Sequence, residues 1–194
     1  MSKIIGLTGG IGSGKTMIAN YLKSLGIPVY IADEEAKKLM KNAKVTQTIK
    51  NEFGSIVFDG DSLNNEKLAQ QVFSNPDKLK KLNSIVHPLV KRHFDKWVAK
   101  HKKFPYLIKE AAILFESGSY KDCDIIITVF TPIETRIQRV LERDKTNRES
   151  ILKRIQNQLS DEERASKSDY VIQNITMNES KKQVDEILKK LNNP

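Results

Sequence analysis

Gly9-Gly10-Ile11-Gly12-Ser13-Gly14-Lys15-Thr16 is the stretch from which the rest of the chain can be read. It satisfies G-x-x-x-x-G-K-[ST], the pattern of a phosphate-binding loop. Upstream, Ile4-Ile5-Gly6-Leu7 is short and apolar, as a buried parallel strand is; downstream, Met17, Ile18, Tyr21, Leu22 and Leu25 recur at helical spacing. Strand, glycine loop and helix in this order are the context the motif needs, and a plain Gly-rich turn would not require every position at once. Glycines let the backbone turn so tightly that successive N–H groups converge on phosphate oxygens. The helix starting at Lys15 adds its partial positive end at the same point. Lys15 can then reach the β- and γ-phosphates, and the Thr16 hydroxyl can ligate Mg²⁺. Which nucleotide is bound, and where its phosphate goes, stay open at this point.

Working outward, 194 residues suffice for one well-buried core with a small inserted domain. The chain is 39% apolar and 29% charged, and no run approaches the roughly 20 apolar residues that span a bilayer. A charged N-terminus leads straight into the first strand, not into a signal sequence, so no membrane role and a cytoplasmic location are expected. A single cysteine, Cys123, excludes an internal disulfide and a cysteine-based zinc cluster; it reads as a packing residue. The net charge of +9 invites either nucleic acid or a small polyanionic substrate. The lysines are scattered over most helices, which favours a solvated surface.

The second strand is read at Ile27–Ile31, followed by a helix from Glu34 to Met40. Asp33, between them, sits where parallel sheets collect ligands, at a strand's carboxyl end; it is equally well placed to cap the helix. From Thr46 to Lys103 the pattern is mostly helical and lysine-rich, with Asn75-Pro76 as a cap and first-turn proline. His87-Pro88 is expected to break a helical run there, and His87 alone reads as a turn or cap residue. A block this long is too large for a simple crossover and suggests an inserted substrate-binding region. Tyr106-Leu107-Ile108 is a third strand, with Glu110 just beyond it, where phosphoryl-transfer folds often place a carboxylate near Mg²⁺. Ile125–Phe130 is an apolar buried strand, and Thr131-Pro132-Ile133-Glu134 reads as a capping box with an N1 proline. Arg136, Arg139 and Arg143 then fall on one helix face and need anionic partners; triphosphate oxygens qualify, as does plain solvent exposure. Ile151, Ile155 and Leu159 mark a further helix, and Ser160–Glu163 is a second capping box leading to Arg164. This basic helix-loop-helix is similar to a mobile lid. Tyr170-Val171-Ile172 is a fifth strand, and an amphipathic helix with Val184, Ile187, Leu188 and Leu191 ends the chain. Alternating strands and helices imply a three-layer α/β fold.

Taken together these residues resemble the dephospho-coenzyme A kinase family. Gly6–Lys15 has that family's form of the phosphate loop, Ala32-Asp33 matches its Asp-Ala-Asp, and Leu82–Pro88 matches its Leu-x-x-Ile-x-His-Pro. Leu114-Phe115-Glu116 matches its Pro-Leu-Leu-Phe-Glu, and Gln158, Arg164, Asp169, Ile172 and Asn174 fit its C-terminal pattern. The match runs from about Ile4 to Asn174. It implies a P-loop kinase fold with a five-stranded parallel sheet: core 1–32, 104–135 and 166–194, a helical coenzyme A region 33–103, and a lid 136–165. It implies transfer of the ATP γ-phosphate to the ribose 3′-hydroxyl of dephospho-CoA, with Mg²⁺. By the same resemblance ATP would be bound by Gly10, Ile11, Gly12, Ser13, Gly14, Lys15, Thr16, Met17, Arg139, Arg143 and Asn174. The acceptor would be bound by Asp33, His87, Leu114 and Glu116. Asp33 would be the base, Lys15 and Arg143 would stabilise the transferring group, Thr16 would ligate the metal, and Glu110 would support it through water. The chain departs from the family pattern at Ile31, where the first Asp is usual, at Ala112, a proline, and at Glu110, an aspartate.

Two other readings compete. One is a P-loop kinase of another small metabolite, such as a nucleoside monophosphate or a shikimate-like acid, against which the His87-Pro88 block speaks. The other is a nucleotide-switched nucleic-acid-binding protein, which would want a basic stripe with interleaved aromatics, whereas aromatics are 7%. A GTPase is disfavoured because no N-K-x-D segment occurs. Oligomeric state is not legible.

Overall fold

The computed structural model describes residues 2–73 and 75–192; the expected core limits at residues 1 and 194 lie outside them. The chain begins β1 (Lys3–Thr8), α1 (Lys15–Ser24), β2 (Val29–Ile31), α2 (Ala32–Met40) and α3 (Ala43–Phe53). A hairpin of β3 (Phe58–Asp59) and β4 (Ser62–Leu63) follows, then α4 (Asn65–Phe73) and α5 (Pro76–His101). The remainder is β5 (Tyr106–Glu110), β6 (Ile125–Phe130), α6 (Ile133–Arg143), α7 (Arg148–Gln156), α8 (Asp161–Ser166), β7 (Tyr170–Gln173) and α9 (Met177–Asn192). It divides into two compact units, one from the N-terminus to Ile31 together with His101 onward, the other Ala32–Lys100.

The first unit is an α/β fold on a five-stranded sheet in the order β2-β5-β1-β6-β7, every pair parallel. β1 and β6 are mostly apolar and are buried from Ile5 to Thr8 and from Ile126 to Val129, as strands of a covered parallel sheet are. On one face Ile5, Leu7, Ile108, Ile127, Val129 and Ile172 meet Ile18, Ala19 and Leu22 of α1 and Val184, Ile187 and Leu191 of α9. Among the described residues thirteen form this cluster, and burial of its Val, Leu and Ile side chains, at about 1.5–3 kcal/mol each, is the main favourable term for the unit. On the other face the buried Lys109 pairs with Asp122 at 2.8 Å, and Thr128 Oγ1 stands 2.7 Å from Ser168 Oγ, just past α8. Register brings Leu7 opposite Glu110 and Thr8 opposite Thr128, so the loop leaving β1 emerges between the carboxyl ends of β5 and β6.

The second unit is helical around Ile49, Val57, Phe58, Leu68 and Val72. Within the stretch read as mostly helical, the Asp59-Gly60-Asp61 turn makes a hairpin; Gly60, at φ +61°, supplies the left-handed turn. One expectation needs correction: His87-Pro88 does not break the helix, and α5 runs 26 residues with Pro88 inside it. Proline removes one helical hydrogen bond and costs roughly 3 kcal/mol in a helix interior. The buried Val86 and Phe94, one on either side of Pro88, anchor the helix across it. Asn75 caps this helix as expected, its Oδ1 accepting from the amides of Asp77 and Lys78 at 3.1 Å each.

Candidate active site

The glycine loop leaves β1 at Thr8 and ends at Gly14, whose φ of +92° is reachable at low cost only without a side chain. A Cβ there would also stand 2.0 Å from Asn174 Nδ2. Gly14 opens α1 with no side-chain cap, so the amides of the first turn point out of the helix end into the loop, at its partial positive pole. Lys15 Nζ folds back over the loop and donates to the carbonyl oxygens of Gly9 at 2.8 Å and Gly10 at 3.4 Å. Thr16 is exposed in that first turn, Ser13 is buried, and Met17 packs partly into the sheet core.

The loop is held from below by β6 and β7. Thr131 Oγ1 lies 3.0 Å from the carbonyl oxygens of both Ser13 and Asn174, and Asn174 Nδ2 donates to the Ser13 carbonyl at 2.7 Å. Ser180 in turn donates to Asn174 Oδ1 at 2.8 Å. The capping box expected at Thr131 is therefore absent: its hydroxyl serves the loop, and α6 starts with no side-chain cap. Asn174, 2% exposed, has both ends of its amide engaged, which makes it a strut of the loop and not a surface available to a base.

The three aligned arginines of α6 separate in space. Arg136 is buried, and its Nη1 donates to both carboxylate oxygens of Asp161, at 2.8 and 3.0 Å; its anionic partner is a side chain. Arg139 is half-buried and donates to the carbonyl oxygens of Asn174 at 3.3 Å and Ile175 at 3.5 Å, beside the loop. Arg143 ends α6 with 64% of its side chain exposed, and its Nε and Nη2 grip the neighbouring Asp144 at 2.8 and 3.0 Å. That hydrogen bond raises the Arg143 pKa and lowers that of Asp144.

The two residues of the Leu114-Phe115-Glu116 motif assigned to the acceptor differ in burial. Leu114 is fully buried and packs beneath β1, where a Cβ on Gly6 would stand 2.7 Å from its Cδ2; a side chain with no exposed surface cannot touch an acceptor. Glu116 Oε1 accepts from the Leu159 amide at 2.9 Å and lies 3.5 Å from Arg164 Nη2, so it ties down the turn between α7 and α8. Glu110 is the last residue of β5 and is buried, one register step inside the expected position. Burial pushes the Cys123 thiol up to about 12, in keeping with a packing role. Among the described residues no group of three or more His, Cys, Asp and Glu could hold a metal, and no helix is long and apolar enough to cross a membrane.

Asp33 and His87 belong to the second unit. Asp33 is exposed in the first turn of α2, inside the helix and not at the cap position before it. His87 is half-buried in mid-α5, and desolvation lowers its pKa. Sequence reading missed Gln158 as part of the site: its Oε1 accepts from the Ile11 amide at 2.9 Å. No local signal marks that contact, because the partners are 147 residues apart.

The dephospho-CoA kinase family model matches residues 3–179. A dephospho-CoA kinase of Fusobacterium nucleatum is 44% identical over 172 residues, which cover 88% of this chain and 89% of the relative. A Thermus thermophilus protein of known crystal structure is 33% identical, with a TM-score of 0.89 over 98% of both chains. Campylobacter jejuni dephospho-CoA kinase, at 22% identity, shares the fold with a TM-score of 0.71 over 98% of both chains. With its glycine loop, parallel sheet and matched length, the chain belongs to the dephospho-CoA kinase family, a family of ATP-dependent phosphotransferases.

Proposed function

We propose that this kinase transfers the ATP γ-phosphate to the ribose 3′-hydroxyl of dephospho-CoA, giving coenzyme A and ADP. The observation that carries the reading is the glycine loop with Lys15 folded over it at the uncapped start of α1. Backbone amides of the glycine loop bind the phosphates, and Lys15 exchanges its carbonyl partners for β- and γ-oxygens. The acceptor oxygen attacks the γ-phosphorus as the bond to the β,γ-bridging oxygen breaks, and the hydroxyl proton passes to Asp33. Phosphoryl transfer leaves the protein mostly positioning and charge stabilisation to do, so Asp33 orients the hydroxyl as much as it removes the proton. Arg139 and Arg143 draw charge off the transferring group when residues 136–165 close as a lid, and region 33–103, with His87, binds the coenzyme A portion.

Mg²⁺ suits the donors present. It takes few protein ligands beside phosphate oxygens and water, and the exposed Thr16 hydroxyl at the loop's end is such a ligand. Glu110, at the end of the neighbouring strand, would orient a metal-bound water. When bound there, such an ion would supply neutralisation of phosphate charge. The deciding experiment is ADP release with ATP, Mg²⁺ and a panel of acceptors. Dephospho-CoA should give turnover well above the ATP-only background, and AMP, adenosine and shikimate should not. Equal turnover with AMP would remove the substrate assignment and leave the loop reading in place.

A further inference from the structure

The stretch from Gln158 to Asp161, from the connection after α7 to the first residue of α8, reaches the glycine loop by two routes. Gln158 Oε1 takes the Ile11 amide directly. Asp161 acts at one remove: it binds Arg136, whose guanidinium lies so close to Gly10 that a Cβ there would stand 2.2 Å from Nη1. The segment is itself anchored from behind. Arg164, with no exposed surface, donates to Asp161 Oδ1 at 3.1 Å, and Glu116 accepts from the Leu159 amide. The Ser160–Glu163 capping box, present as the sequence implies, holds the start of α8 between these contacts.

A backbone N–H serves one strong acceptor at a time. While Gln158 holds the Ile11 amide, that donor is withheld from a phosphate oxygen, and other donors of the loop set where the phosphates lie. We infer that Gln158 and Asp161 are positioning residues for the phosphate loop: Gln158 fixes the Ile11 peptide, and Asp161, through Arg136, props Gly10. The brace rests on the reading of this loop as the ATP site. Both residues lie in the segment assigned to the lid, so its position at α8 and the shape of the loop are mechanically linked.

The test uses the full-length protein with Gln158→Leu, which deletes the acceptor at similar size, and Gln158→Glu, which retains it. Ile11 amide exchange is followed by NMR on nucleotide-free protein, beside ADP affinity and a thermal melt. Gln158→Leu should speed Ile11 exchange by about tenfold and weaken ADP by about fivefold, the worth of one hydrogen bond, with the melt little moved. Gln158→Glu should return Ile11 exchange to the wild-type rate. Asp161→Asn should raise the ATP KM more than it lowers kcat. Wild-type Ile11 exchange in folded Gln158→Leu, or fast exchange persisting in Gln158→Glu, overturns the inference. A wild-type protein that does not bind ADP overturns the nucleotide reading instead, and the exchange rates still decide the brace.

Discussion

Asp33 shows how far one position changes the chemistry asked of a residue. As a cap it would precede the helix, but it stands in the first turn of α2, where a carboxylate gains only the modest attraction of the helix's positive end. Asn retains its size and loses the proton acceptor. Asp33→Asn should lower kcat by roughly 10²- to 10⁴-fold with dephospho-CoA and ATP saturating. The melt of the same preparation should move little; activity within a few-fold of wild type would reduce Asp33 to its helical role. His87 makes a prediction in pH. Desolvation holds its imidazole below the ordinary 6.5, so the unfolded chain takes up a proton at higher pH than the folded one. Its contribution to stability is complete above 6.5 and is lost as pH falls through the folded pKa. Melts at descending pH should show a loss of stability that His87→Gln makes shallower; an identical slope in both proteins would exclude His87 as a source.

At the scale of the element, α6 carries two arginines of opposite character seven residues apart. Arg136 is buried against Asp161, and losing it costs less than the roughly 3–5 kcal/mol of a charge left buried and unpaired, because Asp161 keeps Arg164 at 3.1 Å. Arg136→Met should therefore lower the melting temperature by up to roughly 10 °C. Arg143 is exposed, and such surface pairs are worth about 0–1 kcal/mol. Arg143→Gln should leave the melt unchanged and, on the proposed role in a closing lid, depress kcat. Paired melts and turnover numbers check both, and the opposite pattern would exchange their assignments. α5 teaches the complementary lesson. Pro88 is a local stop signal, yet the helix passes through it, because hydrophobic residues on either side are anchored.

Along the chain the lysines behind the charge of +9 are scattered over most helices. Lysines pair locally with acids, as in Lys38 with Glu35, Lys91 with Asp95 and Lys153 with Glu149. Dispersed charge of this kind gives only non-specific nucleic-acid affinity, with Kd of about 10⁻⁴–10⁻⁶ M at physiological salt. A salt titration with generic duplex should show binding in that range that fades steeply as salt rises. Nanomolar binding at physiological salt would reinstate the nucleic-acid reading. The two compact units each have a hydrophobic cluster of their own, around Leu7 and Ile127 in the first and around Ile49 and Leu68 in the second.

The glycine loop, the apolar strands and the caps at Asn75 and Ser160 were all legible in the chain, because each rests on contacts within a few residues, which local pattern encodes. The family resemblance was legible for the same reason: it is carried by short motifs. The partners of the polar side chains were not. Arg136 finds its carboxylate 25 residues away, Asn174 its loop carbonyl 161 away, and Ile11 its acceptor 147 away. A helix-face count shows that arginines align, but only packing decides which is desolvated and must find a carboxylate, and which stays in water. Leu114 and Glu116 make the same point side by side: two residues of one motif, one buried beneath β1 and the other tied to Leu159. Their separation depends on how the loop after β5 turns back over the sheet, which long-range burial decides and no local spacing records.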